Sequence, residues 1–298
     1  MVHVPAGTFS MGSDRFYREE RPVRAASVEG FWIDAHPVTV ARFRAFVEDT
    51  GYVSTAERAP DPAMYPNADP TLLVPGSLVF TKPAMPVSLR DPRGWWAYVP
   101  GACWRHPEGP ASSSEGRSDH PVVHVSYEDA SAYAAWAGKS LPTEREWEYA
   151  ARGGLDGAVY PWGDEFVSEG RLLANVWIGR FPWESLKEGG YVGTSPVGSF
   201  PPNGYGLYDV VGNVWEWTES PYDESGSGGP RGSCCSADEG SGERTRRVVK
   251  GGSHLCAPNY CLRYRPAARQ PQSTDTSTTH IGFRCIVRER DIPKTESP

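Results

Sequence analysis

Gly251-Gly252-Ser253-His254-Leu255-Cys256-Ala257-Pro258-Asn259-Tyr260-Cys261-Leu262-Arg263-Tyr264-Arg265 is the stretch on which the reading of this chain turns. Two cysteines stand five positions apart, with Pro258 and Asn259 between them. A regular helix turns residues i and i+5 away from each other, and a regular strand puts them on opposite faces. Pro258 opposes both, because it lacks a backbone donor and fixes its own φ. Pro followed by Asn suits the two central positions of a β-turn, and such a turn brings the sulfurs of Cys256 and Cys261 together. The pair is then a disulfide when oxidised, or a two-thiolate site for a soft, low-coordinate metal when reduced. Soft thiolates select Cu(I).

Working outward, the segment is followed by Ala267-Ala268-Arg269 and Gly282-Phe283-Arg284-Cys285. It is preceded by Pro5-Ala6-Gly7-Thr8-Phe9-Ser10-Met11-Gly12-Ser13, His120-Pro121-Val122-Val123-His124-Val125-Ser126 and Ala137-Gly138-Lys139-Ser140-Leu141-Pro142-Thr143-Glu144. Tyr160-Pro161-Trp162-Gly163, Pro202-Asn203-Gly204-Tyr205-Gly206-Leu207-Tyr208 and Gly212-Asn213-Val214-Trp215-Glu216-Trp217 complete the set. Over nearly the whole chain these motifs resemble the formylglycine-generating enzymes, the sulfatase-modifying factors. The fold motifs alone also mark non-catalytic members and sulfoxide synthases; the two-cysteine segment separates the formylglycine-generating branch. The resemblance implies an α+β, C-type-lectin-like fold of low regular secondary-structure content, as a single domain over residues 1–298.

The resemblance also implies a reaction. A sulfatase cysteine in a Cys-x-Pro-x-Arg context is oxidised to Cα-formylglycine, with O2 as oxidant and a thiol reductant supplying the remaining electrons. Cys256 and Cys261 are the expected Cu(I) ligands, leaving room for a third sulfur from the substrate. By motif position, Ser253, Tyr260 and Trp215 stand near the oxygen and substrate pocket, and Trp95 lines a peptide groove. The groove is expected to be open, with only one of Trp95 and Trp96 facing it. Structural calcium is implied at Asp209 and Glu216 through side chains and at Gly212 and Val214 through carbonyls. A second calcium is implied at Asn175, Val176 and Tyr191, but Gly189 stands where the family carries a carboxylate and Glu188 is one residue away. His254 is expected to be a satisfied histidine, and a zinc set of His254, Cys256, Cys261 and Cys285 fits no common finger spacing.

Composition sets outer bounds. The 298 residues suffice for a substantial core, and Gly 32, Pro 28 and Trp 11 favour a loop-rich fold over a helical bundle. A formal net charge of −7 argues against non-specific nucleic-acid binding. No apolar run is long enough to span a bilayer, and Met1-Val2-His3-Val4-Pro5 lacks signal-peptide character. A soluble, cytoplasmic monomer is therefore expected. Six cysteines in this length are no disulfide scaffold. Rival readings are a non-catalytic peptide-binding member of the same fold, a sulfoxide synthase and a thiol–disulfide oxidoreductase. The second lacks its His-x-x-x-His-x-Glu pattern and the third its Cys-x-x-Cys spacing.

Three helices are legible. Thr39 caps a helix to about Asp49 with Val40, Phe43, Phe46 and Val47 as its apolar stripe, and Gly51 stops it. Ser126 with Asp129, and Thr143 with Glu146, read as capping boxes of two more, stopped at Gly138 and Gly153. Strands are expected at Phe31-Trp32-Ile33-Asp34, Arg247-Val248-Val249-Lys250 and Phe283-Arg284-Cys285-Ile286-Val287-Arg288. The stretch from Ala59 to Ser118 shows little periodicity, and a flexible insertion containing Cys234 and Cys235 is expected near 220–243.

Overall fold

The computed structural model describes residues 1–168, 171–186, 191–223 and 245–292. The three helices form where the caps place them. Helix α1 (Val40–Thr50) opens on Thr39, whose hydroxyl accepts the Arg42 N–H. It closes on Gly51 at φ 68°, where a left-handed residue costs glycine nothing. Helices α2 (Tyr127–Trp136) and α3 (Glu144–Arg152) each begin with a reciprocal capping box, Ser126 with Asp129 and Thr143 with Glu146.

Two small sheets carry the architecture. In one, Phe31–Ile33 is central and pairs antiparallel with Val2–Val4 and Ile286–Arg288, tying the two ends of the described chain together. In the other, the spatial order is Arg269–Ser273, Arg246–Lys250, Trp215–Pro221, Ile281–Gly282, and only the last pairing is parallel. Trp215, Glu216 and Trp217 on its inner strand are all buried, so both faces of this sheet are covered.

Two expectations need correction. Residues 283–285 are not strand; Phe283, Arg284 and Cys285 are all fully buried between two short strands. Their backbone is bonded outside any ladder, with the Phe283 and Cys285 carbonyls accepting the Val38 and Asp34 N–H groups. The aperiodic 59–118 stretch contains an antiparallel hairpin, Gly76–Phe80 with Trp96–Pro100. The expected insertion near 220–243 lies almost wholly outside the described residues, as do Cys234 and Cys235; the strand Trp215–Pro221 runs into its first two positions.

Beneath that hairpin lie two buried imidazoles, His124 and His280, and burial pushes both down to about 3. An unfolded histidine titrates near 6.5, so between these values the unfolded chain binds more protons and stability falls as pH drops. The wild type should lose about 2 kcal/mol relative to His124→Asn between pH 7.5 and pH 5, as read by urea unfolding. Asn is chosen because His124 sits at φ 60°, a conformation Asn tolerates. A pH-independent difference would contradict the assignment.

Candidate active site

The chain between the two cysteines folds as its residues dictate. The Ala257 carbonyl accepts the Tyr260 N–H at 3.1 Å and the Cys261 N–H at 2.8 Å, with Pro258 and Asn259 at the centre of the turn. The Asn259 side chain fastens the turn to the backbone N–H and carbonyl of Phe181, at 3.3 and 3.2 Å. Upstream, Gly252 has φ 71°, and a Cβ there would stand 2.8 Å from the Arg263 carbonyl. The Gly-Gly pair thus lets the strand ending at Lys250 pass close under the returning chain.

The turn brings the sulfurs of Cys256 and Cys261 to 3.1 Å, beyond the length of a disulfide bond between them. They are almost wholly buried, at 2% and 1% exposure. Burial, then the neighbouring Cys261, push the Cys256 thiol well above its ordinary value. The Ser253 N–H points to Cys256 Sγ at 3.4 Å, and an Arg263 Nη1–H lies 3.9 Å from Cys261 Sγ. The Ser253 hydroxyl oxygen accepts the Leu255 N–H at 3.2 Å, which shapes the approach to Cys256.

The sulfurs border a small cavity lined by Trp95, Trp96, Phe181, Trp215, Ser253, Leu255, Tyr260 and His280 as well. Tyr260 stacks on Phe181 at 4.7 Å, Trp95 packs edgewise on both, and Trp96 lies 4.9 Å from the His280 ring. All four residues expected at the pocket, Ser253, Tyr260, Trp215 and Trp95, are therefore brought together with the cysteines. One detail differs from expectation. Trp95 and Trp96 both line the cavity, because Trp95 ends a 3-10 turn at a bend in the chain while Trp96 starts a strand. The indole N–H groups of Trp95 and Trp215 are buried with no acceptor among the described residues. Buried donors are seldom left unpaired, so these two are suited to a bound acceptor.

Phe181, Trp96, Leu255, His280 and Arg263 were not singled out as cavity or sulfur neighbours in the sequence. Arg263 carried a signal, its place two residues after Cys261. Phe181 carried none, since it lies in an aperiodic segment and is delivered by the Asn259 contact.

The remaining predicted residues are spread along the core behind the cavity. His254 turns away from the sulfurs, with Nδ1 2.8 Å from the Asn213 carbonyl, which leaves the zinc set unassembled. Glu216 lies in the core, where its carboxylate accepts the Trp147 indole N–H and two Arg284 N–H groups, each at 2.7 Å. A carboxylate has about four lone-pair directions, so about one remains. Asp209 is buried at φ 52° and accepts the Gly198 N–H at 2.8 Å. Burial above all raises its carboxyl, with Glu216 adding and Arg284 opposing. Gly212 and Val214 are buried between the two acids. Asn175 donates to the Gly193 carbonyl at 3.0 Å, Val176 is buried, and Tyr191 is exposed. Residues 188 and 189, on which the second calcium depends, lie outside the described residues. Cys103 is a buried thiol, and Cys285 is another.

Comparison with known proteins shows the family. Residues 1–289 match the family described as sulfatase-modifying factor enzyme 1-like domain. The chain is 54% identical over 290 residues to a formylglycine-generating enzyme of Mycobacterium tuberculosis, covering 96% of this chain and 97% of that one. It is 40% identical over 291 residues to the mouse protein named inactive C-alpha-formylglycine-generating enzyme 2, covering 96% and 84%. PvdO from Pseudomonas aeruginosa superposes with a TM-score of 0.62 at 25% identity, over 96% of this chain and 93% of that one. In motif, fold and cysteine turn alike, the chain belongs to the sulfatase-modifying factor family, with the α+β formylglycine-generating-enzyme fold.

Proposed function

We propose that this protein converts a sulfatase cysteine in a Cys-x-Pro-x-Arg context to Cα-formylglycine, as an oxidase using O2, a thiol reductant and Cu(I). Family membership alone does not carry activity, since a relative 40% identical is named inactive. The carrying observation is the pair of sulfurs 3.1 Å apart in the wall of an aromatic-lined cavity.

Copper fits the donor set. Two buried soft sulfurs converge without a third His, Cys, Asp or Glu beside them among the described residues. Such a pair suits a low-coordinate soft cation and leaves a position for a substrate thiolate. Bound there, Cu(I) would supply the electron-transfer chemistry for O2.

The chain's own residues supply the rest. Cys256 and Cys261, set side by side by the Pro258-Asn259 turn, would hold the cation. Trp95, Trp96, Phe181 and Tyr260 exclude water and give the peptide an apolar seat. The unspent indole N–H groups of Trp95 and Trp215 offer donors to a substrate carbonyl or to reducing oxygen. Ser253 orders the Cys256 side of the pocket. In overall balance, the substrate thiol, one O2, two electrons and two protons give the aldehyde, one hydrogen sulfide and one water. The reductant supplies both electrons; the C–S bond and one C–H bond of the substrate break as its C=O bond forms. Oxygen uptake and sulfide release from a peptide thiol under air should therefore run one to one. Uptake without sulfide would mean mere thiol oxidation and would defeat the proposal.

Calcium is a second, structural proposal. Asp209 supplies a buried carboxylate, Gly212 and Val214 supply carbonyls, and Glu216 one remaining lone pair; such hard oxygens suit Ca2+. A cation there would relieve the burial that raises the Asp209 carboxyl. Removal of calcium with EGTA should lower Tm by several degrees, and Asp209→Ala should abolish that response. An equal EGTA response in the variant would place the ion elsewhere.

A further inference from the structure

The cysteine pair has an electrostatic partner two residues beyond Cys261, held in place by residues from the opposite end of the chain. Arg263 directs Nη1 at Cys261 Sγ, 3.9 Å away, while its Nε and Nη2 hold one oxygen of Glu19 at 3.2 and 2.6 Å. Its guanidinium lies 3.8 Å over the Tyr17 ring, and the Tyr17 hydroxyl accepts the Leu262 N–H at 2.9 Å. One residue pair further on, Arg265 is bound by Glu20 at 2.8 and 2.5 Å. The Phe16–Glu20 segment therefore clamps the chain just after Cys261 and fixes where the Arg263 charge points.

That charge matters because of what the sulfurs become. Two thiolates around a monovalent soft cation carry a net charge of −1, and a third thiolate from a substrate would make it −2. A buried, uncompensated anion is costly, and a cation a few ångströms away offsets much of that cost. Cys256 has the neutral Ser253 N–H beside it, whereas Cys261 has the Arg263 guanidinium, whose charge is shared with Glu19.

We infer that Arg263 is a positioning charge that stabilises the anionic dithiolate–cation centre, and that Glu19 limits its strength by sharing that charge. The inference rests on the Cu(I) reading above. It assigns a role at the centre to Glu19, which does not line the cavity.

The test exploits sign. Arg263→Gln and Glu19→Gln break the same ion pair, so a purely structural clamp would respond alike to both. Cu(I) affinity is measured by competition with a chromophoric Cu(I) chelator at fixed pH, on the reduced full-length protein without peptide or O2. Arg263→Gln should weaken Cu(I) binding on the order of tenfold or more, and Arg263→Lys should recover most of it. Glu19→Gln should tighten binding about threefold or more, since the guanidinium charge is then unshared. Affinities that fall together in both Gln variants, or that stay at the wild-type value in Arg263→Gln, overturn the inference. Failure of the underlying reading looks different: the wild type would bind no Cu(I), or would bind it equally well as Cys256→Ser.

Discussion

Cys256→Ser and Cys261→Ser should each reduce aldehyde formation by at least about a thousandfold while the protein stays folded. A serine hydroxyl is close to a thiol in size, so the turn made by Ala257, Pro258 and Asn259 survives. The cost of one buried hydroxyl is about 1–3 kcal/mol. Chemistry, by contrast, is lost outright. Oxygen is a hard donor that keeps its proton at neutral pH, and a soft monovalent cation discriminates against it. The two sulfurs act as a unit, so the double variant should be no worse than either single one. The check is kcat/KM on a peptide substrate alongside Tm. A variant that keeps a tenth of wild-type activity would mean that its sulfur is not part of the reacting centre.

Arg284→Met should cause a large loss of stability for a single substitution outside the site. All of this guanidinium is buried, and its nitrogens reach five acceptor contacts: the Glu216 carboxylate at 2.7 and 2.7 Å, and the carbonyls of Tyr208, Asp34 and Ala35 at 2.8, 3.3 and 3.4 Å. Removing it strands the Glu216 carboxylate with the Trp147 indole as its remaining donor. Breaking one side of a buried pair costs about 3–5 kcal/mol, which is about 5–8 °C in Tm for a domain of this size. Lysine should not rescue it, because an ammonium has three donors and no planar fork. Thermal unfolding followed by near-ultraviolet circular dichroism reads the effect. A Tm within about 2 °C of wild type would show that the pair adds little to the fold.

How much of this was legible in the sequence varied with the kind of interaction. Caps are local, so Thr39, Ser126 with Asp129, and Thr143 with Glu146 marked the helix starts correctly. The Pro258-Asn259 turn is also local, and it delivered the two sulfurs to each other as the residues implied. Tertiary burial overrode alternation at Phe283-Arg284-Cys285, where every side chain is buried and none points to solvent. The Gly76–Phe80 and Trp96–Pro100 hairpin was hidden because its strands are separated by an irregular connection of 15 residues and lack a clean polar face. The cavity wall formed by Phe181 required a contact across 78 positions of sequence. The Arg263–Glu19 pair spans 244, and no local pattern announces such a meeting. The local turn at the two cysteines was more legible than the cavity's shape, because neighbouring residues decide the first and long-range packing decides the second.

The most direct measurement is the mass of a peptide containing Leu-Cys-Thr-Pro-Ser-Arg after incubation with the reduced, Cu(I)-loaded protein, a thiol reductant and air. The account predicts that the cysteine side chain is replaced by an aldehyde, that the product reacts with an aldehyde-trapping reagent, and that Cys256→Ala and Cys261→Ala each prevent it. Unchanged peptide mass, with tight peptide binding that persists in both variants, would contradict the oxidase and identify a peptide-binding protein on the same fold.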